Sequence, residues 1–87
     1  EGFALMQNTP NPFNEFTVIS FNLPKAMNAT LTVYDVNGKT LKTISSTYDE
    51  GINNIRLNDS ELGASGILYY QLQAGNFTAN RKMVVFN

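Results

Sequence analysis

Apolar side chains return at every second position along most of this chain, the period of a strand with one face on a core. In Thr17-Val18-Ile19-Ser20-Phe21-Asn22-Leu23 the residues Ile19, Phe21 and Leu23 share a face, and Pro24, with no N–H to offer a ladder, ends the run. Ala29, Leu31 and Val33 repeat the pattern. Asp35-Val36-Asn37-Gly38-Lys39 then predicts a tight hairpin, with Asn37 and Gly38 expected to supply its left-handed backbone. Residues 41–48 form the return strand, rich in Thr, Ser and Ile but weakly amphipathic. A turn at Asp49-Glu50-Gly51 leads to residues 52–58, with Ile55 and Leu57 inward. Residues 58–63 predict at most one helical turn, with Asp59 or Ser60 placed to cap its free N–H groups. Gly63 and Gly66 frame the most aromatic strand, residues 67–72. Ala74-Gly75-Asn76 turns the chain into the last strand, residues 77–86.

This gives six strands, and a seventh if residues 3–6 join, with turn signals between them and no competing helical period. The expected fold is all-β: an immunoglobulin-like antiparallel β-sandwich of about seven strands. The chain has 87 residues, enough for one domain. Without Cys it has no disulfide or thiolate metal site, so stability must come from packing.

Six basic and seven acidic side chains leave a net charge of −1, with no block of like charge. That argues against nucleic acid or an anionic membrane as partner. The longest apolar runs, at residues 3–6 and 83–86, are far short of a transmembrane segment or signal-peptide core, so an export signal would lie elsewhere or be the domain itself. There is no His, the commonest general base and metal ligand, and an enzyme is the disfavoured class.

Asp35-Val36-Asn37-Gly38 resembles the opening of a calcium loop but lacks the later ligands and closing Glu, and a hairpin turn explains it without an ion. Asp49-Glu50 and Asp59-Glu61 are acidic pairs in expected loops, where solvated carboxylates are the default. Tyr69 and Tyr70 must point to opposite faces, one into the core and the other toward solvent, where it could stack on a sugar. Arg81-Lys82-Met83-Val84-Val85 puts two cations before an apolar alternation. These cations either simply face water, or flank a handle that joins or is read against another sheet.

Five stretches, in order and covering nearly the whole chain, carry a resemblance. They are Asn8-Thr9-Pro10-Asn11-Pro12-Phe13-Asn14, Thr17-x-Ile19-x-Phe21-x-Leu23-Pro24, Leu31-x-Val33-Tyr34-Asp35-x-x-Gly38-Lys39, Leu62-x-x-x-Gly66-Ile67 and Lys82-Met83-Val84-Val85. Together they resemble the type A C-terminal sorting domain of the Bacteroidetes type IX secretion system. Ile67-Leu68 replaces a frequent Val-Tyr, and Lys39 a usual Arg. The resemblance implies a non-catalytic, cofactor-free delivery tag: a single domain over residues 1–87, with an Asn/Pro-rich lead-in at 1–14 and a sandwich at 15–87. Its implied partners are an N-terminal cargo, the outer-membrane translocon, and a cysteine-peptidase-like sortase that removes the domain and can join the cargo to lipopolysaccharide. Its implied route is through the periplasm to the cell surface or medium, with cleavage at or before the first residues. A sandwich spacer like that of flagellar hook-capping proteins, or a carbohydrate-binding module, is the alternative.

Within that resemblance, Arg81, Lys82, Met83, Val84 and Val85 are the expected recognition element. Asn8, Pro10, Asn11, Pro12, Phe13, Tyr34, Asp35, Gly38 and Gly66 are the expected structural motif. The Asn/Pro run is read as a stiff clasp that ties Phe13 and the incoming Leu5 or Met6 to the sandwich at the junction with the cargo: Pro10 and Pro12 fix φ and disfavour helix before them, while Asn8, Asn11 and Asn14 bond back to nearby backbone.

Overall fold

The computed structural model describes residues 2–86. Seven strands follow one another: β1 (Ala4–Leu5), β2 (Phe16–Leu23), β3 (Met27–Asp35), β4 (Thr40–Tyr48), β5 (Gly51–Asn58), β6 (Gly66–Ala74) and β7 (Phe77–Val85). They form two antiparallel sheets, β1-β2-β5 and β4-β3-β6-β7, facing each other as an open sandwich. The seventh strand expected at residues 3–6 is present as the two-residue β1.

The period-2 pattern decides which faces meet. Ile19, Phe21 and Leu23 of β2, with Ile55 and Leu57 of β5, lie opposite Ala29, Leu31 and Val33 of β3 and Leu68, Tyr70 and Leu72 of β6, all of them buried. Met83 and Val85 complete the core from β7. Each large apolar side chain removed from water here contributes about 1.5–3 kcal/mol, and no covalent staple shares that task. The weakly patterned β4 has no fully buried residue; Leu41, Ile44 and Tyr48 are half-buried. Its place at the edge of its sheet accounts for the weak amphipathy.

The β3–β4 turn differs in detail from expectation. Gly38 N–H donates to Asp35 O (3.0 Å) and Asp35 N–H to Lys39 O (3.0 Å). The Asp35 carboxylate accepts from Asn37 N and Lys39 N, each at 2.9 Å. Gly38 alone takes positive φ (+86°) in this turn, and Asn37 does not. The carboxylate holds the first bend, so one left-handed residue suffices, followed by a bulge in the ladder between Val33 and Tyr34.

A single 3₁₀ turn, Asp59–Glu61, follows β5. Its cap also differs from expectation. Asn58 N–H donates to the Glu61 carboxylate (2.9 Å), while Asp59 reaches away to accept from Glu15 N (2.9 Å), and Asp59 N returns a bond to Glu15 O. This double grip holds Glu15 at φ +73°, the one non-glycine in the left-handed region among the described residues. Glu61 also pairs with Lys42 (3.3 Å). The Asn58 N–H, and then Lys42, lower the Glu61 pKa.

Candidate recognition surface at the last strand

β7 lies at the edge of the four-stranded sheet, so half of its peptide groups turn to β6 and half turn outward. The outward groups of its C-terminal half are not free. Gln7 Nε2 donates to Lys82 O (2.7 Å), Val84 N donates to the Asn11 side-chain oxygen (2.9 Å), Phe13 N donates to Val84 O (3.0 Å), and Phe86 N donates to Phe13 O (2.9 Å). Residues 7–13 thus act as a short parallel partner, with Phe13 bridged to Val85. The Phe13 ring is buried beneath them, 1% exposed.

The same segment is fastened to the other sheet. Thr9 exchanges both backbone bonds with Val18 (2.9 and 2.8 Å). Buried Asn8 gives its side-chain amide to Thr17 Oγ1 (3.0 Å) and Pro10 O (3.2 Å), and Thr17 Oγ1 donates to Pro10 O (2.8 Å). Tyr70, fully buried, accepts from Asn8 N (2.9 Å) and donates to Met6 O (2.8 Å). Burial pushes the Tyr70 phenol pKa up, partly countered by the Asn8 N–H and by Arg81. Arg81 Nε donates to Leu5 O (2.7 Å), and Phe3 stacks on Phe77 (centroids 5.2 Å apart).

The Asn/Pro run therefore closes one side of the sandwich, joining β2 to β7. Pro10 and Pro12 are exposed and follow cis peptide bonds. Asn8 bonds to nearby atoms as expected. Asn11 instead reaches across to Val84, and Asn14 contributes its carbonyl, to Phe16 N (2.9 Å). The prolines cannot donate, which leaves Asn11 and Phe13 to satisfy β7.

Of the five residues of the expected recognition element, Lys82 and Val84 turn outward, while Arg81 shares the inward parity of Met83 and Val85 and reaches Leu5 at the rim of the sandwich. Met83 and Val85 lie in the core at 0% and 1% exposure; Arg81 and Lys82 are exposed, and Val84 is half-buried. Tyr69 stands opposite Lys82 and Ile67 opposite Val84 on the outer face, and Ile67 and Phe86 are 45% and 47% exposed. Ile67, Tyr69 and Phe86 belong to this surface but were not in the expected element. Their signal is the strand pairing, which a single strand's pattern does not contain.

Tyr69, on the outer face as its neighbour's burial requires, stacks on Tyr34 (5.8 Å, 24°), whose hydroxyl donates to Asn80 (3.1 Å). Each ring covers a face of the other, which leaves less free ring for a sugar. Gly66, where β6 begins, has φ +90°. Among the described residues no three His, Cys, Asp or Glu side chains gather as a metal site requires, and no buried side-chain polar atom lacks a partner. Nor is any helix long and apolar enough to cross a membrane.

Two antiparallel sheets facing each other, with the last strand sealed by the chain's own lead-in, define an immunoglobulin-like β-sandwich module. The sequence matches the family model of the secretion system C-terminal sorting domain over residues 9–86, and the chain belongs to that family, the sorting domains of type IX secretion. No curated protein matches it. The domain is a type IX secretion sorting signal; it implies an N-terminal cargo, the type IX system as partner, and export to the cell surface or extracellular space.

Proposed function

We propose that the translocon reads this domain as a folded object, through the outer face of β7 around Lys82 and Val84, rather than as a loose tail. Residues 1–87 act as one non-catalytic sorting unit, with the lead-in at 1–14 fastened to the sandwich at 15–87. The cargo passes through the periplasm, crosses the outer membrane, and is released or joined to lipopolysaccharide when a cysteine-peptidase-like sortase removes the domain.

The observation that carries this reading is the division of the Lys82-Met83-Val84-Val85 motif. Met83 and Val85 are core residues, and the outward peptide groups of Val84 are already bonded. A partner reaches the motif through Lys82, Val84 and their outer-face neighbours only while the sandwich is intact.

The test uses a reporter with a Sec leader fused ahead of this chain in a type IX-competent cell. Removing residues 82–87 should strand the reporter in the periplasm, but it also removes two core side chains. The decisive variant is therefore Lys82→Glu with Val84→Glu, which touches no buried residue and should change stability by no more than about 1 kcal/mol. Loss of surface reporter is expected, with cooperative melting kept and its midpoint moved by no more than about 8 °C. Normal delivery of that variant refutes recognition through this face. In a strain whose sortase lacks its catalytic Cys, the reporter should reach the surface with the domain still attached.

A further inference from the structure

Beyond secretion, we infer that this domain self-associates by pairing the free edge of β4 with β4 of a second copy. Of the sheet edges, β1 is two residues long, the C-terminal half of β7 is sealed, and β5 opens at Gly51 and carries the charged Arg56, laid over Phe16, within its run, whereas β4 offers nine residues without Pro or Gly. The Asp35 N–H to Lys39 O bond sets the alternation of the β3–β4 ladder. Val33, Leu31 and Ala29 turn their peptide groups to Lys42, Ile44 and Ser46, leaving those of Thr43, Ser45 and Thr47 pointing away from β3. These three residues are exposed. Natural edges are commonly protected by inward charges, Pro or mid-strand bulges. Here the one bulge lies at the hairpin end, and the one charge on the core-facing side, Lys42, sits near the strand's start and is neutralised by Glu61, which leaves the middle of the edge unguarded.

The charge layout selects the occupant. Lys39 and Lys42 stand at the start of the edge, Asp49 and Glu50 just past its end. An edge that is positive at one end and negative at the other is complementary to itself when reversed. Antiparallel pairing about Ser45 sets Ser45 against Ser45 and Thr43 against Thr47, forming about six backbone bonds. It also brings each copy's Lys39 beside the other copy's Asp49 and Glu50. Parallel pairing would set lysine on lysine. Lys39, Asp49 and Glu50 are exposed and can reach a partner, while Lys42 stays with Glu61 of its own chain. The product is a continuous eight-stranded sheet with two-fold symmetry.

Sedimentation of the 87-residue chain at low salt, up to about 1 mM to suit a small interface, tests this. The mass should rise from one copy to two. Ser45→Pro removes an N–H that faces solvent, so the fold should persist while the dimer is lost. Should that variant not fold, charge reversal decides. A chain with Lys39→Glu, and another with Asp49→Lys and Glu50→Lys, should each stay monomeric and form a mixed dimer when combined. A wild-type chain that remains single at the highest concentration, a dimer that survives in a folded Ser45→Pro variant, or a mixture that does not pair would each overturn the inference.

Discussion

Phe13→Ala should destabilise the domain by about 3–5 kcal/mol, read as the shift in urea midpoint at unchanged slope. The ring is 1% exposed and packs in the common core, so its removal loses apolar transfer energy and leaves a cavity. An 87-residue domain holds roughly 4–13 kcal/mol in total, so the variant would be marginal. The residue also carries the backbone N–H and C=O that meet Val84 O and Phe86 N, so a ring that no longer anchors the segment loosens the seal on β7. Phe86→Ala is the control. That ring is 47% exposed, and its loss should cost about 1 kcal/mol or less. Similar costs at both positions would show that residues 7–13 are not part of the core.

Tyr70→Phe should cost about 2–3 kcal/mol while leaving the ring packing unchanged. The hydroxyl joins Asn8 N, at a residue 2% exposed, to Met6 O, and its removal leaves both backbone groups without that partner. The same group gives the stability a pH dependence with a defined sign. Burial raises the Tyr70 pKa, so the folded state holds the phenol proton more tightly than the unfolded chain. The stabilisation is fully present below the ordinary tyrosine value of about 10 and is lost as pH rises through the folded value. Tyr48 is also raised by burial, at its edge-on contact with Phe21 (5.1 Å), and should leave a residual alkaline slope in the Phe variant. An unchanged slope after Tyr70→Phe would show that the hydroxyl does not carry this linkage.

The strands were legible because burial imposes a period of two, and β2, β3 from Asn28 to Tyr34 and the paired Tyr69 and Tyr70 follow it. The parity of residues 81–85 likewise separated Met83 and Val85 from Lys82, once the last stretch was taken as a strand. The seal was not legible. Asn11 to Val84 and Asn8 to Tyr70 are bonds across 73 and 62 positions, and nothing local in an Asn/Pro run says which distant edge it will satisfy. The run was read as a clasp tying Phe13 to the sandwich; beyond that, it supplies donors and acceptors that a terminal strand otherwise leaves open. Asn37 misled for a related reason. Asn-Gly commonly turns left-handed at both residues, but the Asp35 carboxylate held Asn37 N–H and left that conformation to Gly38. The free edge of β4 showed in the sequence as weak amphipathy, and the topology made that weakness an edge.

Hydrogen exchange at the Val84 and Phe86 amides tests the central claim most directly, because these two protons point away from β6 and depend on Asn11 and Phe13 alone. In the intact chain they should exchange with protection approaching that of Leu72 in the middle of β6, and Phe13→Ala should bring them close to free-peptide rates while Leu72 stays slower. Exchange at free-peptide rates in the unaltered chain, with β6 protected, would mean that the last strand is open and that the fold is not read as a sealed unit.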